Sequence, residues 1–114
     1  MENLASQYTV LVVDDVPTNV MLVQAILKKE GYTLLTTDSG AKALRIAQER
    51  HPNLILLDIM MPGIDGMQVC KKIREKSNTI GIIMLSAKSQ EMDKISCLMS
   101  GADDYITKPF SISE

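Results

Sequence analysis

The sequence predicts an α/β fold: a doubly wound, five-stranded parallel sheet of order 2-1-3-4-5 with helices on both faces. Three observations predict it. Short, nearly continuous apolar runs alternate with segments whose apolar residues recur at helical spacing. The runs are too apolar for a sheet with one wet face, so both faces are covered. Turn and helix-start signals separate them in the order βαβαβαβαβ, and right-handed crossovers leave few topologies for that order.

The first strand is Tyr8-Thr9-Val10-Leu11-Val12-Val13. Pro17, suited to a first helical turn, introduces a helix over Asn19 to Glu30. Its inward stripe is Val20, Val23 and Leu27, widened by Leu22 and Ile26. Gly31 ends it, and the β-branched-rich run Tyr32 to Thr37 forms the second strand. Ser39-Gly40 opens a helix that turns Ala43, Leu44 and Ala47 inward and stops near Pro52. Leu54-Ile55-Leu56-Leu57 is the third strand, with Asp58 at its carboxyl end. A loop containing Pro62-Gly63 and Asp65-Gly66 leads to a helix from about Met67 to Lys76, with Val69, Cys70 and Ile73 on one side. Ile82-Ile83-Met84-Leu85 is the fourth strand, ending at Ser86-Ala87. The next helix, roughly Gln90 to Ser100, buries Met92, Ile95, Leu98 and Met99 and stops at Gly101. Tyr105-Ile106-Thr107 is a short fifth strand before Lys108-Pro109. The arrangement is flavodoxin-like, and residues 1–114 read as one domain.

Composition narrows the function. Twelve Lys and Arg against fourteen Asp and Glu give a net charge of −2, which argues against direct nucleic-acid contact by this domain. No apolar run approaches the ~20 residues that cross a bilayer, so no membrane role is expected. The start Met1-Glu2-Asn3 has no secretory character. Cys70 and Cys97 lack metal-ligand spacing and are too few for a disulfide framework; both are expected as buried thiols in a cytoplasmic protein.

In open α/β sheets the ligand site lies outside the carboxyl ends of the strands. Those ends are Asp14-Asp15, Asp58, Ser86-Ala87 and Thr107-Lys108-Pro109. If strands one, three, four and five are neighbours, three carboxylates, a hydroxyl and an ammonium meet on one rim. Carboxylates so crowded raise one another's pKa or require a counter-ion. An oxygen-rich cluster suits a hard divalent cation, Mg²⁺ (or Mn²⁺). With Lys108 as a second positive charge, the set has the parts that phosphoryl transfer needs. Asp58 can be the nucleophile and form an acyl phosphate, its oxygens held by the Ser86 hydroxyl and the Ala87 N–H. Each fragment alone has a plainer role: Asp14-Asp15 and Ser86-Ala87 as caps, Asp58 as a polar strand end, Lys108 as a solvated lysine. Their common place on one rim favours the site. His51, the one histidine, is expected at a helix end on the surface, and Asp103-Asp104 as solvated residues at the amino end of the fifth strand.

Four segments in order carry a family resemblance: Val10 to Asp15, Leu56 to Gly66, Met84 to Ala87, and Gly101 to Phe110. Over nearly its whole length the chain resembles the receiver domain of two-component response regulators. The resemblance implies that Asp58 accepts a phosphoryl group from a sensor histidine kinase or phosphotransfer protein. It implies direct metal ligation by Asp15, Asp58 and the Met60 backbone carbonyl, with Asp14 acting mainly through metal-bound water. Lys108 would pair with the phosphoryl oxygens and Ser86 would hydrogen-bond one of them. Tyr105 matches the switch aromatic, whose ring turns inward as Ser86 moves, so that a surface on the fourth helix and fifth strand changes. Met60 and Lys88 stand where family members tune dephosphorylation. Such a domain is no enzyme beyond its own Mg²⁺-dependent phosphorylation and dephosphorylation, and its output belongs to a downstream effector domain or protein. The stretch Asp14 to Asn19 looks like receivers of hybrid kinases and of regulators with enzymatic outputs.

One departure stands out. Receivers continue after Lys-Pro-Phe into a fifth amphipathic helix, whereas this sequence stops at Glu114. A truncated or missing fifth helix is therefore expected, with no effector domain, exposed apolar surface on one sheet face, and lowered stability or a homodimer through that face. Two other readings compete. A pseudo-receiver, a pure interaction module, is disfavoured by the intact set Asp14, Asp15, Asp58, Ser86 and Lys108. A phosphohydrolase on a similar sheet typically has a second aspartate two residues after the nucleophile, where this chain has Met60.

Overall fold

Apolar runs become strands here because both of their faces find cover. The structure is a computed structural model describing residues 7–59, 63, 65–86 and 98–107, without the side chains of Ser86 and Thr107. Met60, Met61, Pro62, Ala87, Lys88, Lys108, Pro109 and Phe110 lie outside the described residues, as do Cys97 and most of the expected fourth helix (90–97).

The described elements are β1 (Thr9–Val13), α1 (Pro17–Lys29), β2 (Thr33–Thr37), α2 (Gly40–Arg50), β3 (Leu54–Asp58), α3 (Gly66–Lys76), β4 (Gly81–Ser86) and β5 (Asp104–Thr107). The sheet is parallel throughout, in the order β2-β1-β3-β4-β5 expected from the sequence. Strand alternation divides the core in two. Leu11, Val13, Ile55, Leu57, Ile82 and Met84 point to the face covered by α2 and α3 through Ala43, Ala47, Val69, Cys70 and Ile73. Val10 and Val12 point to the other face, against Val23 and Leu27 of α1. On that second face Leu54, Leu56 and Ile83 are half-buried, and Ile106 is 41% exposed.

Element ends follow local chemistry. α1 begins at Pro17, two residues before the expected start, because proline's fixed φ suits a first turn that needs no N–H partner. Ser39 caps α2, its hydroxyl accepting from the Lys42 N–H. Asp65 and Gln68 form a reciprocal capping box at the start of α3. The Asp65-x-x-Gln68 spacing signals this box in the sequence, although the loop reading assigned Asp65-Gly66 only a turn. Gly66 is packed so closely that a Cβ there would collide with the Asp58 carbonyl oxygen and lie 2.9 Å from the Ile59 Cα.

Two expectations change. Asp103 is not merely solvated: its Oδ2 accepts from Arg74 Nη2 at 2.7 Å and from the Ile82 N–H at 2.8 Å. Arg74 also donates to the carbonyls of Gly101 (2.7 Å) and Ile80 (2.5 Å), so one guanidinium ties the end of α3 to the turns before β4 and β5. Helical periodicity gives Arg74 no such role, because its partner Asp103 is so distant in sequence. Leu98 and Met99, expected inside, are 44% and 82% exposed, while Ser100 and Ala102 take the buried places. The chain reverses at Gly101, with φ of +106°, and this turn rather than helical period decides which residues face the sheet.

A candidate acidic metal and phosphoryl-transfer site

The site begins with strand ends. β1 finishes at Val13, and the Asp14 N–H donates to the Thr37 carbonyl at the end of β2. This bond holds Asp14 in the sheet plane, where it is 2% exposed. Its Oδ1 accepts from the Val16 N–H at 2.9 Å, which orients the carboxylate and turns the chain toward α1. Asp58 is the last residue of β3, opposite Leu85 of β4 and 4% exposed. The next residue, Ile59, donates to the Leu85 carbonyl, and Gly66 donates to the Ile59 carbonyl, so the start of α3 lies directly against the Asp58 backbone.

Because β1 and β3 are neighbours in the sheet, Asp14, Asp15 and Asp58 come together. One carboxylate oxygen from each lies within 4.8 Å of the others. Asp14 and Asp58 are buried, whereas Asp15 is the more exposed of the three. Two unit charges at that separation repel by about 3 kcal/mol at an effective dielectric near 20. Three hard oxygen donors of like charge fit a small divalent cation, which offsets the repulsion and keeps water in its remaining positions. An open groove of about 520 Å³ runs from Asp14 and Asp15 between the starts of α1 and α2, past Thr37, Asp38 and Lys42, giving access from solvent.

Of the other expected site residues, Ser86 ends β4 in register with Thr107 of β5, on the same carboxyl rim. Lys108 follows Thr107 in sequence but lies outside the described residues, as do Met60, Ala87 and Lys88. Tyr105 pairs with Met84 across the β4–β5 ladder and is half-buried, packing against the larger core cluster. His51, exposed at the end of α2 with φ of +46°, stands apart from the acidic cluster. Cys70 is fully buried, its thiol 3.5 Å from the Ser100 carbonyl. Burial pushes that thiol above its ordinary pKa, against an opposing pull from Arg74 and with a lesser rise from Asp103.

Residues 10–114 match the family model of the response regulator receiver domain. A curated relative, the alkaline phosphatase synthesis transcriptional regulatory protein PhoP of Bacillus subtilis, is 47% identical over 105 residues, covering 92% of this chain. The chain spans 44% of that relative's length. Among solved structures, CheY in the CheX-CheY-BeF₃-Mg²⁺ complex of Borrelia burgdorferi superposes with a TM-score of 0.87 at 31% identity, covering 91% of this chain and 80% of the other. The complex of the Saccharomyces cerevisiae histidine phosphotransfer protein Ypd1 with the receiver domain of Ssk1 gives 0.86 at 28% identity, covering 93% and 81%.

Proposed function

This chain belongs to the response regulator receiver domain family, and from that premise we propose that it accepts a phosphoryl group on Asp58 and relays that event to an output. The observation that carries the proposal is the meeting of three carboxylate oxygens within 4.8 Å at the carboxyl ends of adjacent strands. A plain strand-end aspartate has no reason to be buried beside two others, since each added charge destabilises the folded chain.

In the proposed reaction an Asp58 carboxylate oxygen attacks phosphorus on a phosphohistidine of a sensor kinase or phosphotransfer protein. The P–N bond breaks, the electron pair returns to the imidazole, and the histidine recovers its proton from solvent. Asp14 and Asp15, with Asp58 and the Met60 carbonyl, would hold Mg²⁺ or Mn²⁺. Bound there, the ion supplies charge neutralisation for the phosphoryl oxygens. Burial of Asp58 keeps water from the acyl phosphate, and the Val16 N–H fixes the Asp14 carboxylate within the cluster. Lys108 and Ser86 would take the new oxygens, and the Ala87 N–H a further one, with Met60 and Lys88 setting access for hydrolysis.

The switch is a change of charge: one carboxylate becomes a group of roughly −2 with added acceptor oxygens. Movement of Ser86 toward it would free space for the Tyr105 ring and alter the surface around β5. The partners are then a phosphodonor protein and, on a cytoplasmic output side, an effector domain or protein beyond this chain. The Bacillus relative's name points to transcription as one class of output. Dephosphorylation by the domain itself resets the switch, with no turnover of external substrates.

The test is incubation with Mg²⁺ and acetyl phosphate followed by mass spectrometry. One labile phosphate on Asp58 is the expected result, absent in Asp58→Asn. Label retained by that variant assigns the acceptor elsewhere, and no label on the unaltered chain returns the pseudo-receiver reading.

A further inference from the structure

At the opposite rim from the three aspartates, a cavity of about 210 Å³ lies between the carboxyl-terminal halves of α2 and α3. Its floor is apolar, from Leu44 and Ala47 on α2, Ile73 on α3 and Ile80 before β4. Its mouth is cationic: Lys72 and Lys76 of α3 line it, with Gln48, His51 and Ser77 as further polar groups. Among the described residues no carboxylate lines it, although the chain as a whole carries a net charge of −2. Lys72, Lys76 and Gln48 are exposed, so the charged heads reach water while their stems can pack along the floor.

We propose that this cavity binds a small apolar carboxylate, an aryl or short alkyl acid, with its hydrocarbon part on Ala47 and Ile73 and its carboxylate between the Lys72 and Lys76 ammonium groups. Size selects the class. The volume falls below the ~300 Å³ at which drug-sized ligand sites begin, so a single ring or short chain fills it. Charge selects the sign, because two lysines one helical turn apart on one face favour an anion and nothing acidic in the lining competes. The two contributions are separable: the floor prefers apolar bodies over acetate, and the rim prefers acids over alcohols. α2 and α3 both begin beside the phosphoryl-transfer site, Gly66 at the Asp58 backbone and Ser39 just beyond Thr37, so an occupant at their far ends bears on two elements that frame it. The binding claim itself stands independently of the phosphorylation proposed above.

The experiment is a ¹H–¹⁵N NMR titration of the chain with benzoate, octanoate, acetate and benzyl alcohol, without Mg²⁺. Saturable benzoate or octanoate shifts confined to amides of residues 44–51 and 72–80 are expected, with a dissociation constant on the order of 0.1–1 mM. Acetate and benzyl alcohol should each bind at least about fivefold more weakly, and Lys72→Glu with Lys76→Glu should weaken benzoate roughly tenfold. Both lysines are exposed, so an unchanged spectrum outside the groove verifies that the double variant folds. Shifts centred elsewhere, equal binding of acetate, or insensitivity to the double variant overturns the proposal, as does an absence of saturable shifts.

Discussion

At the scale of single residues, packing around Asp58 leaves little tolerance. A methyl group at Gly66 meets the Asp58 carbonyl and the Ile59 Cα, both backbone, so relief requires the start of α3 to move. Gly66→Ala should lower stability by about 2 kcal/mol, read as a urea midpoint, and slow acetyl phosphate labelling by displacing the proposed acceptor, Asp58. Cys70 supplies a pH dependence. Its folded pKa is raised from 9.0, chiefly by burial, so the folded state keeps its proton when the unfolded thiol has lost its own. The resulting stabilisation is complete below the unfolded pKa and fades as pH climbs past it. Cys70→Ala should therefore be less stable than the parent at pH 8, and the gap should narrow toward pH 10. A gap that stays constant across matched urea titrations would count against the assignment.

Elements are held by a few polar contacts that hydrophobic period does not reveal. Arg74 joins α3 to the turns before β4 and β5 through Gly101, Ile80 and Asp103. Arg74→Ala removes all three bonds, leaving Asp103 only its bond from the Ile82 N–H, and should cost roughly 2–4 kcal/mol in chemical denaturation, with Arg74→Lys rescuing little because one ammonium cannot span the fork. The same substitution loosens the entry to β5, so the Tyr105 amide should show faster hydrogen exchange than amides of β1. The Asp65 capping box is a smaller matter, and Asp65→Ala should cost about 1 kcal/mol. Legibility was uneven at this scale. The identities of the described strands and of α1 to α3 followed from apolar period and from Pro17, Gly31 and Ser39. The roles of Arg74 and Asp103, and the outward aspect of Leu98 and Met99, depended on turns that bring distant segments together.

For the whole molecule, a cation shared by the crowded carboxylates, as proposed, would link stability to its binding. In chelator, Asp15→Asn should raise the melting temperature by a few degrees, since it removes one repulsive charge from the cluster. In excess Mg²⁺ the order should reverse, because the parent gains binding free energy that the variant has weakened. Calorimetry under both conditions checks this; a variant more stable in both would mean that the cluster does not share an ion. The sequence by itself determined the described elements, their order and the place of Asp14, Asp58 and Ser86 at strand ends, because apolar period and turn chemistry are local properties of the chain. It also named Asp14, Asp15 and Asp58 as candidates. Only the tertiary structure decided that their oxygens lie within 4.8 Å, that Asp103 braces Arg74, and that a cavity with a cationic mouth lies between α2 and α3. Those facts concern segments dozens of residues apart. Their distances are set by which strands pair and in what register, a choice made by burial of the whole sheet and not by any stretch of sequence alone.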